Sequence, residues 1–438
     1  MGGLYPALTG LAIAGWLLSF PFYGPLAFKL LHASATLNAH AFALGHALGF
    51  LFSNTIVSRQ PLSGREPLAA AGLSACLAGA CVFIPGLARA HFIYALAGFA
   101  AAIPMLAWAG LLTRTPTPIP PFAIAVTGAN LWCLLAGLTP DGGPWPHLAL
   151  LAGSAGYVAA SCRLSLTPPD SAATHQPFWR EARPLLVFAG ATYLTGGLMY
   201  SALAQTSASH FWHHAGLASY ILAFSGAALL GQRGFARHLP ALACASLGLA
   251  ALMLTAPTLR ETSASLSLSY NLAMVGLACT DFYYWLALLS FARRGHERAW
   301  GYGLGSNVLF VSGAAILWDN TNLTAMARLP LAGVINAAVL FALVPLVLPR
   351  LARLLEPEVS PPTPGSESAP PAPRLRLTRS EKQVLDLLLD GHTYQEIAAH
   401  LYVSVNTVKY HIKNIYRKAG CRSRSELIAR LGPTRGKW

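Results

Sequence analysis

Two sets of side chains in this 438-residue chain have the type and spacing to do chemistry. The first lies near the C-terminus. There Asn406, Lys409, Tyr410, Lys413 and Arg417 recur at helical spacing and fall on one side of a helix. A narrow helix carrying amide, ammonium and guanidinium donors on one side fits the major groove of B-DNA. A basic helix that merely faces water is the competing reading. The second is Asp281, the one acid near the middle of an apolar run, in Cys279-Thr280-Asp281-Phe282-Tyr283-Tyr284-Trp285. A carboxylate at membrane depth is costly unless it faces an interior and finds partners. Asp281 is therefore a candidate contact for a small cationic or hydrogen-bonding ligand, with aromatic walls from Tyr284 and Trp285. A helix–helix hydrogen bond and an aqueous vestibule are the alternatives.

Other clusters carry less. His210, His213 and His214 can share one helical face, but no carboxylate or cysteine stands beside them to complete a metal shell. They fall at the expected outer edge of a span, where His and Trp212 commonly sit. Asn38, Asn130, Asn271 and Asn307 read as interhelical hydrogen bonders. The seven cysteines contain no Cys-x-x-Cys pair, six of them lying in apolar stretches and Cys421 in the basic tail. With no phosphate-binding glycine loop and no nucleophile–base arrangement, neither an enzyme, a cofactor nor a metal is expected.

The elements that position these residues follow from composition. The chain is 54% hydrophobic and 11% charged, with a mean hydropathy of +0.49. Soluble proteins carry about 25% charged residues, so a water-soluble globule is excluded. Apolar runs between Pro-, Gly- and Arg-rich breaks predict about twelve spans, near 4–22, 36–57, 67–88, 91–112, 119–138, 145–162, 184–204, 210–231, 238–256, 266–291, 300–318 and 328–350. Each can cross a hydrocarbon core of about 30 Å. The first span has no basic n-region and no cleavage site close behind it, so a removable signal peptide is not expected. Thirteen Lys/Arg fall in the even-numbered loops and after the last span, against four in the odd-numbered loops. By the positive-inside rule both chain ends face the cytoplasm. The loop 163–183 divides the spans six and six, and the basic turns Arg59–Arg65 and Arg233–Arg237 occupy matching places in the two halves. Two six-helix halves of this kind resemble the major facilitator architecture in shape.

Beyond the membrane sensor region 1–353 comes a linker, 354–373, with seven prolines among Ser, Gly and Glu, which reads as a semi-stiff tether. Residues 374–438 are different material, with 13 Lys/Arg against 5 acids. Three capping boxes, Thr378-x-x-Glu381, Thr393-x-x-Glu396 and Ser423-x-x-Glu426, and a lone Ser404 cap start four short helices near 379–390, 394–401, 405–419 and 424–431. Val384, Leu385, Leu388, Ile397, Ala398, Leu401, Val408, Ile412, Ile415, Leu427, Ile428 and Leu431 form one small core. Only Tyr402, Val403 and Ser404 separate the second helix from the third, which is a helix-turn-helix spacing.

These residues carry a resemblance. The segment 377–431 resembles the LuxR-type helix-turn-helix domain at Leu377-Thr378, Glu381, Val384-Leu385, Gly391, Glu396-Ile397-Ala398, Leu401, Ser404, Thr407-Val408-Lys409, His411, Ile415, Lys418, Gly420, Arg422, Arg424 and Glu426. Ala419 and Cys421 depart from the family's preferred Leu and Val. The resemblance implies that Lys409, Tyr410 and Lys413 face base edges. It also implies that Thr407 and Arg424 hold phosphates, and that the last helix pairs with its twin in a homodimer on a two-fold DNA site. The whole chain then resembles the membrane-bound LuxR-type regulators of bacteria. The expected fold is all-α, a polytopic membrane bundle followed by a soluble four-helix domain. The expected function is a one-component regulator in the cell membrane, in which the bundle senses a small-molecule inducer or the state of the lipid bilayer and the tail binds promoter DNA. The alternative is a secondary transporter with a regulatory DNA-binding tail.

Overall fold

Long apolar runs have one open structure available in lipid, the helix, because it satisfies every backbone donor and acceptor within the segment. A computed structural model of the chain describes residues 3–57, 65–84, 86–164, 178–206, 210–255, 263–296, 298–319, 325–355, 378–390, 392–419 and 427. No strand occurs among them. The contacts divide the chain into two compact units, Met1–Pro357 and Glu358–Trp438.

The first unit contains α1 (Leu4–Ser19), α2 (Pro25–Leu31), α3 (Ala35–Val57), α4 (Glu66–Phe83), α5 (His91–Arg114), α6 (Ile119–Gly137) and α7 (Trp145–Ser161). It continues with α8 (Phe178–Thr206), α9 (His210–Gln232), α10 (Leu239–Thr255), α11 (Ser263–Arg293), α12 (Ala299–Asp319) and α13 (Ala325–Leu354). Twelve of these helices, all but α2, have 16 residues or more, in register with the expected spans. Six are long and apolar enough to cross a bilayer by length and composition among the described residues. The helices of the bundle keep large apolar side chains exposed on their outer faces, such as Leu48, Leu96, Leu148 and Leu222, as a lipid-facing surface requires. This is a multi-pass membrane bundle.

The packing repeats between halves. Helix α1 packs on α6 and α7 as α8 packs on α12 and α13, while α3 and α4 pack on α5 as α9 and α10 pack on α11. The halves meet through α3 on α12 and α6 on α9, two contacts that exchange when the halves are interchanged. The α3–α5 crossing depends on glycine. A Cβ at Gly98 would lie 2.0 Å from the Phe42 carbonyl oxygen, and one at Gly45 would lie 1.9 Å from that of Ala95. With Gly49 one turn beyond Gly45, this is the small-residue spacing that lets membrane helices approach backbone to backbone.

Three boundaries differ from the sequence expectation. Helix α4 stops at Phe83 rather than near 88, because Ile84 is extended and Gly86 adopts φ +88°. Helix α8 starts at Phe178, six residues before the expected span. Phe178 packs edge-on to Phe291 and the Glu181 carboxylate lies 3.3 Å from His296, so the charged first turn is held by the last turn of α11 and the segment that follows it. The short α2, opened by Pro25 at its first position, lies in what read as a loop.

The second unit contains α14 (Arg379–Leu389), α15 (Tyr394–His400) and α16 (Val405–Ala419). Both expected capping boxes within the described residues are closed. Thr378 N donates to the Glu381 carboxylate at 2.8 Å and Thr393 N to that of Glu396 at 2.7 Å, with the reciprocal bonds to the threonine hydroxyls present. Val384, Leu385, Leu388, Ile397, Ala398, Val408, Ile412, Ile415 and Leu427 form the buried core, joined by Ala419, with Leu401 partly buried against it. The linker beyond Leu355 and the expected helix 424–431, apart from Leu427, lie outside the described residues, and Leu354 of the expected linker is the last residue of α13.

Candidate functional site

In the second unit the turn between α15 and α16 sets the exposed face of α16. The chain leaves α15 through Tyr402, whose φ of +54° reverses its direction, and Val403 N donates back to Ala398 O at 3.0 Å. Ser404 then caps α16, accepting from Thr407 N at 3.1 Å, with its hydroxyl 2.8 Å from that of Thr407. Because Val408, Ile412 and Ile415 are buried, Asn406, Lys409, Tyr410 and Lys413 are exposed on the other side, and Thr407 is half-buried at the cap. Lys409 and Lys413 pair with no acid among the described residues, so both charges are available to a polyanion. Arg417 lies in α16, but its side chain is outside the described set, as are Arg424 and the cluster of histidine side chains at the start of α9.

A contact absent from the sequence reading fixes α16. Lys418, near its C-terminal end, donates to the buried carboxylate of Glu381, the same oxygen that caps α14. The Lys418 hydrogen bond is the main cause holding Glu381 below the usual carboxylate range, assisted by the Thr378 amide. Glu396 is held low chiefly by the Thr393 amide. The basic helix is thus clamped by one charged group to the first helix of its domain.

In the first unit Asp281 lies on α11 between the two halves of the bundle. One carboxylate oxygen accepts from Tyr193 of α8 and the other from Tyr220 of α9. Sequence reasoning missed both tyrosines, which lie 88 and 61 positions from Asp281 and, as tyrosines in apolar spans, carry no signal of their own. Two adjoining chambers share Asp281, Tyr220, Asn130 and Asn307 as lining. The smaller, about 310 Å³, is walled by Phe50, Phe122, Phe224 and Trp285. The larger, about 680 Å³, is reached by Tyr193 and Tyr270. Trp285 therefore lines the cavity with Asp281 and also packs on Trp108, Phe122 and Trp300.

Tyr284 does not line either chamber. It is buried, and its hydroxyl donates to the Gly303 carbonyl of α12 at 2.8 Å and lies 3.1 Å from Ser306 Oγ. Its neighbour Tyr283 donates to the Leu351 carbonyl at 2.6 Å, in the last turn of α13. Asn38 and Asn271 join helices as expected, Asn38 accepting from His91 at 2.6 Å and Asn271 from Ser219 at 2.6 Å. The amide of Asn130 instead bonds within its own helix, to Val126 O at 2.9 Å.

Comparison with known proteins separates the two units. Residues 375–431 match the luxR family of bacterial regulatory proteins. Spore germination protein GerE of Bacillus subtilis (strain 168) is 40% identical over 55 residues, which is 13% of this chain and 74% of GerE. HTH-type transcriptional regulator MalT of Serratia proteamaculans (strain 568) is 42% identical over 52 residues, 12% of this chain and only 6% of MalT. The fold of most of the chain is similar to that in a crystal structure of the peptide transporter POT, a mutant in complex with alafosfalin. There the TM-score is 0.54 with 14% identity, covering 81% of this chain and 96% of the transporter. That likeness is one of fold, and it makes the bundle major-facilitator-like.

Proposed function

The chain belongs, through its C-terminal domain, to the luxR family of bacterial regulatory proteins, and from that premise we propose that it is a membrane-embedded one-component transcription regulator. In this reading residues 1–353 sense, 354–373 tether, and 374–438 bind promoter DNA. Lys409, Tyr410 and Lys413 meet base edges from the exposed side of α16, with Arg417 on the same helix, while Thr407 and Arg424 hold phosphates. The last helix pairs with that of a second copy on a two-fold site. Both chain ends face the cytoplasm, where the DNA is, in accord with the excess of arginine in the even-numbered loops.

The observation that carries the reading is the lone carboxylate Asp281 in a cavity between the two halves of a bundle joined in one chain to a DNA-binding domain. Such a cavity is where a small molecule would be recognised, with Asp281, Trp285, Tyr193 and Tyr220 as its contacts and Tyr284 supporting α11 from behind. Helix α11 also supplies a route outward, since two residues beyond Asp281 it holds the last turn of α13, from which the linker leaves. The bilayer and an inducer are then the partners of the first unit and promoter DNA that of the second. No catalytic step is assigned.

Genome-wide mapping of bound DNA, with and without candidate inducers, tests this. Ligand-dependent occupancy of discrete promoters, blunted by Asp281→Asn with basal occupancy intact, is the expected result. A dose response unaltered by Asp281→Asn reduces Asp281 to a structural role. The shared transporter fold favours one second reading, transport with a regulatory tail. Accumulation of a solute against its gradient in vesicles would support it against the sensor.

A further inference from the structure

We infer that the cavity around Asp281 takes an organic monocation, its charged head against Asp281 and an apolar body in the aromatic chamber; this rests on reading that cavity as the sensing site. The two chambers share one carboxylate, and the one imidazole among their lining residues, His46 in the smaller chamber, is engaged through Nδ1 with the Gly98 carbonyl oxygen at 2.9 Å. Asp281 is the only acid that lines them, and neither Lys nor Arg lines either among the described residues. Charges at this depth are retained when a partner of opposite sign is available. Here Asp281 is met by two phenols and by neither Lys nor Arg, so the compensating charge is left for the ligand.

The hydrogen-bonding sense agrees. Tyr193 and Tyr220 spend their hydroxyl protons on Asp281, one on each oxygen. What remains at Asp281 itself is acceptor capacity, from the carboxylate and the two phenolic oxygens, while the nearby amides of Asn130 and Asn307 can serve in either sense. An ammonium group, which only donates, suits it, whereas an anion or the carboxylate end of a zwitterion would meet the Asp281 carboxylate and neither Lys nor Arg among the described residues. The smaller chamber then offers ring faces from Phe50, Phe122, Phe224 and Trp285, surfaces that attract a cation and an apolar body alike. A bare inorganic cation does not fit, because volumes of about 310 and 680 Å³ are those of small-molecule sites.

Tetraphenylphosphonium and tetraphenylborate have the same shape and opposite charge, and so isolate the sign of the site. Their saturable binding is read by equilibrium dialysis on the full-length protein in lipid nanodiscs, with empty nanodiscs subtracted. The phosphonium should bind at least about tenfold more tightly than the borate, the scale of one desolvated charge pair. Asp281→Asn should lose about that factor, and Asp281→Glu, which restores the charge, should keep the preference for the cation. Equal affinity for the two probes overturns the inference. So does the absence of saturable phosphonium binding, an Asp281→Asn protein that binds as before, or an Asp281→Glu protein that behaves like Asp281→Asn. Promoter affinity measured on the same samples keeps the two ideas apart. Asp281-dependent phosphonium binding with unchanged promoter affinity upholds the ligand class and removes the sensing reading beneath it.

Discussion

Replacing Glu381 should loosen the helix that carries Lys409 and Lys413 without touching that helix directly. One buried carboxylate here does two jobs. It accepts from Thr378 N at 2.8 Å, completing the capping box of α14, and it holds the Lys418 ammonium at the far end of α16. Glu381→Ala removes both. The cap is worth about 1 kcal/mol. A fully buried pair broken on one side costs about 3–5 kcal/mol, but the Lys418 side chain is 32% exposed and turns to water, which lowers its share to about 1–2 kcal/mol. The total is about 2–3 kcal/mol, a large part of the roughly 3–8 kcal/mol on which a domain of this size rests. Glu381→Gln keeps a capping acceptor and loses only the charge, for about 1–2 kcal/mol. Hydrogen exchange of the α14 and α16 amides, followed by mass spectrometry on the full chain, reads the difference. The Ala variant should exchange about 30- to 150-fold faster and the Gln variant clearly less. Exchange within twofold of the parent in both, or identical acceleration in both, would refute the two-part account. The pH dependence has a fixed sign. Because the folded carboxyl titrates below its ordinary value of 4.5, the stabilisation is fully present above about 4.5 and is lost as pH falls through the folded value. After correction for intrinsic rates, protection should be flat through neutrality and fall on acidification, and that acid step should shrink in Glu381→Gln.

Lys409→Ala or Lys413→Ala should weaken specific promoter binding by about 1–3 kcal/mol if either makes a good base contact, whereas a phosphate contact would weaken all sequences alike and lower the salt slope. Mobility shifts on specific and scrambled fragments decide, and unchanged binding by both variants removes the assignment. Tyr283→Phe leaves the Leu351 carbonyl without its side-chain donor, so amides of the last turn of α13 should exchange faster by the effect of about 1 kcal/mol while α11 holds; an unchanged turn refutes that hydrogen bond's support of the turn. Gly98→Leu should force α3 and α5 apart, since even a methyl there would lie 2.0 Å from the Phe42 carbonyl; a monodisperse protein with parental thermal stability would contradict that crossing.

What could be read from the sequence is what depends on neighbours in the chain. The capping boxes at Thr378 and Thr393 span four residues each, the inward positions of α16 recur every three or four, and an apolar run long enough to cross a bilayer announces itself by length. Contacts between distant residues leave no such mark. Tyr193 and Asp281 are 88 positions apart, Tyr220 and Asp281 61, and Glu381 and Lys418 37. Asp281 stood out because a carboxylate is anomalous in its surroundings, while a tyrosine in a span is ordinary until its partner is known. Tyr284 illustrates the same limit. Its place one turn from Asp281 suggested the cavity, and packing against α12 sent it elsewhere.

That outcome has a mechanical consequence. Within five residues α11 reaches the cavity through Asp281, α13 through Tyr283, α12 through Tyr284, and α5 and α6 through Trp285. A helix is stiff over one turn, because its backbone hydrogen bonds tie each residue to the fourth before it. These four contacts therefore move together. Rotation of α11 to admit a ligand beside Asp281 must either carry the last turn of α13 with it or break the Tyr283–Leu351 bond. In the proposed sensing reading, either outcome alters the support of the last turn of α13, from which the linker departs.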